Sequence, residues 1–116
     1  MALTKGDLVL VQFPFTDLTQ TKLRPALVLH ANLDLDEITL CCFISSQNVT
    51  NLSTEEFGIF TSDEEFRETG LRISSKVRVT RIVTLQSRLI LRRLGKLGDQ
   101  HIKQLNNIMK QVFQIQ

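Results

Sequence analysis

The segment Gly6–His30, GDLVLVQFPFTDLTQTKLRPALVLH, constrains the fold more than any other stretch, because its first strand has to be covered on both faces. From Leu8 to Phe13, hydrophobes occupy both sides of a two-residue repeat: Leu8 and Leu10 on one, Val9, Val11 and Phe13 on the other. A short run of this kind reads as an interior strand rather than a half-exposed one. Pro14 has no N–H to give a ladder, so the strand should stop there. A polar segment, Thr16 to Lys22, follows, and then a second apolar strand, Ala26 to Leu29. A chain of 116 residues can enclose one core, which implies one domain over residues 1–116.

Composition narrows the setting. The opening MALTKGDLVL has no basic segment followed by an apolar one, and no apolar run approaches 18 residues, so a cytoplasmic protein outside the membrane is expected. The two cysteines, Cys41 and Cys42, are adjacent and would point to opposite faces of a strand, which disfavours a disulfide between them. With only two histidines, His30 and His101, the chain offers no convincing zinc set, and neither metal nor cofactor is expected. Charge is strongly divided. Residues 1–70 carry 4 Lys/Arg against 11 Asp/Glu, and residues 71–116 carry 10 against a single Asp. Such asymmetry points either to an anionic partner for the basic half or to the acidic half folding against it.

Further along, Glu37 to Ser45 alternates as a third strand and Glu55 to Phe60 forms a short fourth. Ser62-Asp63-Glu64-Glu65 has the spacing of a capping box, with Ser62 as N-cap, and Gly70 suits a left-handed helix end, which predicts a short internal helix. Ser74 to Val83 alternates as a half-exposed strand carrying Lys76 and Arg78 outward, and Leu89 to Leu94 forms a last strand. Asp99 is placed to cap a C-terminal amphipathic helix whose stripe is Ile102, Leu105, Ile108, Met109, Val112 and Phe113. His101, in its first turn, reads as a surface residue. The fold class is therefore mainly β with α: a small, partly open barrel with a short internal helix and a closing helix.

Arg24-Pro25 stands at the base of the polar loop. Proline keeps the preceding residue extended, so Arg24 starts the second strand with a fork of donors suited to a phosphate. A solvated arginine at a strand end is the plain alternative. Taken jointly, Gly6-Asp7-Leu8-Val9, Phe13-Pro14-Phe15-Thr16-Asp17 and Lys22-Leu23-Arg24-Pro25-Ala26-Leu27-Val28-Leu29 resemble the opening of the MazF/PemK toxins of bacterial toxin–antitoxin modules. Ile44-Ser45-Ser46-Gln47 resembles the Ile-Thr/Ser-x-Gln pattern that closes that family's third strand.

The resemblance implies an SH3-like barrel and a metal-independent endoribonuclease that cuts single-stranded RNA, mRNA above all, by attack of the 2′-hydroxyl. It implies Arg24 and Ser45 as the catalytic pair, with Ser45 in place of the commoner Thr. Thr16, Asp17, Lys22, Gln47, Arg78 and Arg81 are candidate RNA contacts. For the proton acceptor, Asp17 and a backbone carbonyl both remain open. Family members often have Glu-Gln and then Arg where this chain reads Thr80-Arg81-Ile82-Val83, so base contacts do not carry over residue by residue there. The implied partners are RNA, a cognate antitoxin with which the family binds DNA, and a second copy in a homodimer. A non-catalytic SH3-like module, binding RNA or inhibiting a topoisomerase, is the competing reading.

Overall fold

The computed structural model describes residues 2–13, 22–42 and 44–115, so the expectations for Thr16 and Asp17 lie outside the described residues. Its strands are β1 (Asp7–Phe13), β2 (Lys22–Asn32), β3 (Glu37–Cys41), β4 (Ile44–Ser45), β5 (Glu56–Ile59), β6 (Ser75–Arg78), β7 (Ile82–Gln86) and β8 (Ile90–Lys96). One α-helix, α1 (Asp99–Val112), closes the chain. A five-stranded sheet runs β7-β3-β2-β1-β8 and a three-stranded sheet runs β4-β6-β5, all pairs antiparallel. Among the described residues the sheets do not close on one another, so the expected mainly β architecture with an incomplete barrel is the one found.

The two-sided first strand is the centre of this arrangement. Leu8 packs with Leu27 and Cys41 against Phe57, Ile59, Val77, Val79 and Leu105, whereas Val9, Val11 and Phe13 pack with Ala26, Val28, Leu40, Leu85 and Ile90. One strand thus supplies both cores, and its alternation decides which residue goes to which. The same alternation separates the cysteines. Cys41 lies in the first core and Cys42, half-buried, packs against the second; both thiols are free. Burial, reinforced by Cys42, pushes the Cys41 thiol up to about 12, so it stays protonated and donates to the Val79 carbonyl at 3.4 Å.

Two expected strands turn out to be broken. The run from Glu37 to Ser45 leaves the large sheet after Cys41, and β4 joins the small one by pairing Ile44 with Val77 and Ser45 with Lys76. The run from Ser74 to Val83 makes the reverse crossing, with a turn at Val79–Thr80 between β6 and β7. The Cys42 N–H donates to the Arg81 carbonyl at 2.8 Å and so ties the two crossing points together. Apolar alternation continues in the sequence through both crossings, so the pattern does not mark the change of sheet.

Residues 61–70 form turns and one short 3-10 helix, Arg67–Thr69, in place of the expected capped helix. Gly70 does end that turn in the left-handed region, at φ 74°. A Cβ at Gly70 would lie 2.1 Å from the Leu94 carbonyl oxygen, so glycine also lets this turn rest directly on β8. Glu65 caps α1 instead of its own segment: its carboxylate accepts the Gln100 N–H at 3.1 Å. Gly98, not Asp99, is the N-cap residue, and Asp99 is the first residue of the helix.

His101 corrects the surface reading. It is 2% exposed, lies 6.4 Å from the Phe57 ring and bonds through Nε2 to Asp63 Oδ2 at 2.9 Å. Burial favours the neutral acid at Asp63, yet the Phe60 N–H and His101 outweigh it and hold that carboxyl below its usual range. His101→Ala is expected to cost about 2–3 kcal/mol of stability, from the lost hydrogen bond to a charged group and the cavity left behind. Urea unfolding measures it.

Candidate functional site

Arg24 is the third residue of β2 and stands opposite Val11 of β1. Its alternation phase is that of Ala26 and Val28, which fill the second core, so Arg24 occupies the point where that buried face runs out into solvent. Pro25 holds it extended there. Its guanidinium is exposed and has no ion pair among the described residues.

Ser45 arrives from the other sheet, on β4 opposite Lys76. Its Oγ accepts the Gln47 N–H at 3.1 Å, which fixes the oxygen and leaves the hydroxyl proton available to an acceptor in front of it. Arg24, Ser45 and Gln47 line one open cavity of about 400 Å³, together with Cys42, Ile44 and Ser46. The sheet crossing between β3 and β4 is what brings this about, since a continuous third strand would keep Ser45 on the large sheet. Cys42 and Ser46 are wall residues that sequence reasoning missed. The Cys41–Cys42 alternation was the available signal for the first.

The remaining candidates lie off these walls. Lys22, the first residue of β2, is exposed opposite Phe13. Arg81 is exposed on the crossing that leads to β7. The outward placement expected for Lys76 is corrected by Glu56, whose carboxylate meets Lys76 Nζ at 3.4 Å; Arg78 keeps an exposed side chain while its Nε meets the same carboxylate at 3.4 Å. Lys76 is buried there, and its ammonium also donates to the Asn51 carbonyl at 3.3 Å. Arg93 pairs similarly with Asp7 at 3.3 Å. Part of the basic half is therefore neutralised from within, whereas Arg24, in the acidic half, has no ion pair among the described residues and stands uncompensated in its cavity.

A cavity holding a free guanidinium and an oriented hydroxyl can bind a phosphodiester and stabilise charge on its non-bridging oxygens. Among the described residues no three His, Cys, Asp or Glu side chains gather to hold a metal ion, and no helix is long and apolar enough to cross a membrane.

Residues 4–113 match the family described as PemK-like, MazF-like toxin of type II toxin-antitoxin system. The chain belongs to that family. Solved structures similar to it include the Mycobacterium tuberculosis toxin MazF-mt6, at TM-score 0.71 and 18% identity over 95% of this chain and 98% of that one. MazF from Deinococcus radiodurans matches at TM-score 0.70 and 18% identity over 99% of both chains. An endoribonuclease in complex with its cognate antitoxin, from a mycobacterial species, matches at TM-score 0.71 and 13% identity over 99% of this chain and 98% of that one. At these identities the likeness is one of fold. No curated protein matches the chain.

Proposed function

We propose that this chain is the toxin of a toxin–antitoxin pair and that it cuts single-stranded RNA, mRNA above all, without a metal ion, arresting translation and growth. The observation that carries the reading is the meeting of Arg24 and Ser45 in one open cavity, although 20 residues and a change of sheet separate them. Family membership supports this reaction class.

In this reaction the ribose 2′-oxygen attacks the neighbouring phosphorus and the P–O5′ bond breaks. The 2′-hydroxyl loses its proton and the departing O5′ gains one, leaving a 2′,3′-cyclic phosphate and a 5′-hydroxyl. Arg24 offers two donors and a full positive charge to the phosphorane, and Ser45 Oγ donates to a second oxygen. Lys22, Gln47, Arg78 and Arg81, with Thr16 and Asp17 of the β1–β2 segment, are the candidate contacts along the strand. DNA has no 2′-hydroxyl and escapes. A solved relative is bound to its cognate antitoxin, which supports an antitoxin as the partner here, and we place the active form as a homodimer in the cytoplasm.

Ser45→Ala is expected to slow single-turnover cleavage about 10²-fold with the fold unchanged, since one preorganised donor is lost. Ser45→Thr is expected to keep or raise the rate, because the added methyl restricts χ1 without removing the hydroxyl. Equal rates for Ser45→Ala and wild type would remove Ser45 from the mechanism.

A further inference from the structure

A second cavity, of about 430 Å³, adjoins the first and shares Ile44 and Ser46 with it. Its remaining walls come from Leu10 and Pro25 of the large sheet, the segment 70–73, Ser75 of β6, and β8. Its volume lies in the range of sites for small organic groups, roughly 300–1,000 Å³. Two cations stand on its rim, Arg72 and Arg92, and both are exposed.

Neither guanidinium has an ion pair or hydrogen bond among the described residues. In the same half of the chain, by contrast, Lys76 and Arg78 pair with Glu56 and Arg93 pairs with Asp7. Arg92 and Arg93 are therefore adjacent in sequence yet differ in fate: the alternation of β8 sends one to a carboxylate and the other to the cavity. Apolar walls with unpaired guanidiniums at the mouth are the composition by which proteins hold a nucleobase and the phosphates beside it.

We propose that this second cavity is the seat of the base next to the scissile phosphate, with Arg72 and Arg92 on the flanking phosphates. It then sets where the strand is cut. The inference rests on the ribonuclease reading for its biological meaning but concerns binding alone. Pro25 and Ile44 link the two cavities: Pro25 follows Arg24 directly and Ile44 precedes Ser45. A strand whose phosphate lies against Arg24 and Ser45 thus meets the second cavity one nucleotide away.

The test uses the full chain and a random pool of 2′-O-methyl single-stranded oligonucleotides, which bind but present no free 2′-hydroxyl. Affinity is measured against salt for wild type, Arg72→Ala, Arg92→Ala and the cavity-filling Ile73→Trp, which alters a residue 58% exposed and leaves the cores intact. Each Arg→Ala variant is expected to bind about 10-fold more weakly, with a salt slope smaller by about 1. Ile73→Trp is expected to flatten the base preference of the retained pool. Wild-type affinity, slope and base preference in all three variants overturn the proposal. So does a loss of dimers in Ile73→Trp with binding intact, which would make the cavity a seat for a second copy. Cleavage of unmodified RNA, run in parallel on wild type, separates the two readings. Weakened binding in the variants without any cutting by wild type would sustain this binding site and remove the ribonuclease. Cutting by wild type with unchanged binding in the variants would do the reverse.

Discussion

Arg24→Ala is expected to lower the rate of RNA cleavage about 10²- to 10³-fold while leaving the protein folded. The rate effect follows from charge: two negative oxygens of the phosphorane lose their bidentate partner, and among the described residues no other uncompensated cation lines the cavity. The folding effect follows from exposure, since Arg24 is exposed and makes no ion pair with the described residues, which limits the change in stability to about 0.5 kcal/mol. Arg24→Lys should recover little, because an ammonium is a point charge without the fork that matches two oxygens. Single-turnover rates with urea unfolding on the same samples separate chemistry from folding. Wild-type cleavage by Arg24→Ala would remove Arg24 from the site.

The largest expected effect on stability belongs to Glu56→Ala, which does not touch the cavity. Glu56 is 6% exposed, and its carboxylate holds the Ser53 N–H at 2.9 Å as well as Lys76 and Arg78. Removing it strands the buried Lys76 ammonium, a loss of about 3–5 kcal/mol. That is a large part of the 5–15 kcal/mol a domain typically has. Replacing both partners, as Glu56→Leu with Lys76→Met, should recover most of the loss because no buried charge then remains unpaired.

The pH dependence carries the same signature. Burial alone would raise the Glu56 pKa, but the Ser53 N–H and Lys76 outweigh it and the pKa is lowered. A lowered folded value contributes stability above the unfolded pKa, about 4.3, and loses it as pH falls through the folded value. Wild type should therefore weaken on acidification below about pH 4, and Glu56→Gln should lack that part of the decline. A Glu56→Ala protein as stable as wild type would show that the buried pair holds nothing together.

Much of this structure is legible in local pattern. The two apolar faces of β1 predict a strand buried on both sides, although the single core expected from chain length is found as two clusters; Leu105 anchors the predicted apolar stripe of α1 at 0% exposure. The stripe holds as far as Met109, whereas Phe113, past the helix end, is 44% exposed. What local pattern could not show are relations between distant residues. Glu65 reads as a cap for its own segment because its actual target, the start of α1, lies 35 residues away. His101 reads as surface because Asp63, its partner, is 38 residues distant. The sheet crossings after Cys41 and Val79 are silent for a different reason: apolar alternation runs through both in the sequence and does not mark the change of sheet. For the site, Arg24-Pro25 and Ile44-Ser45-Ser46-Gln47 are visible as motifs, but their meeting depends on one of those crossings.

Metal-free cleavage is checked by incubating the purified protein with a long single-stranded RNA in EDTA and analysing the ends of the fragments. The expected result is a discrete set of fragments with 2′,3′-cyclic phosphate and 5′-hydroxyl ends, absent with Arg24→Ala. RNA left intact by a correctly folded protein would contradict it and favour a module that binds without cutting.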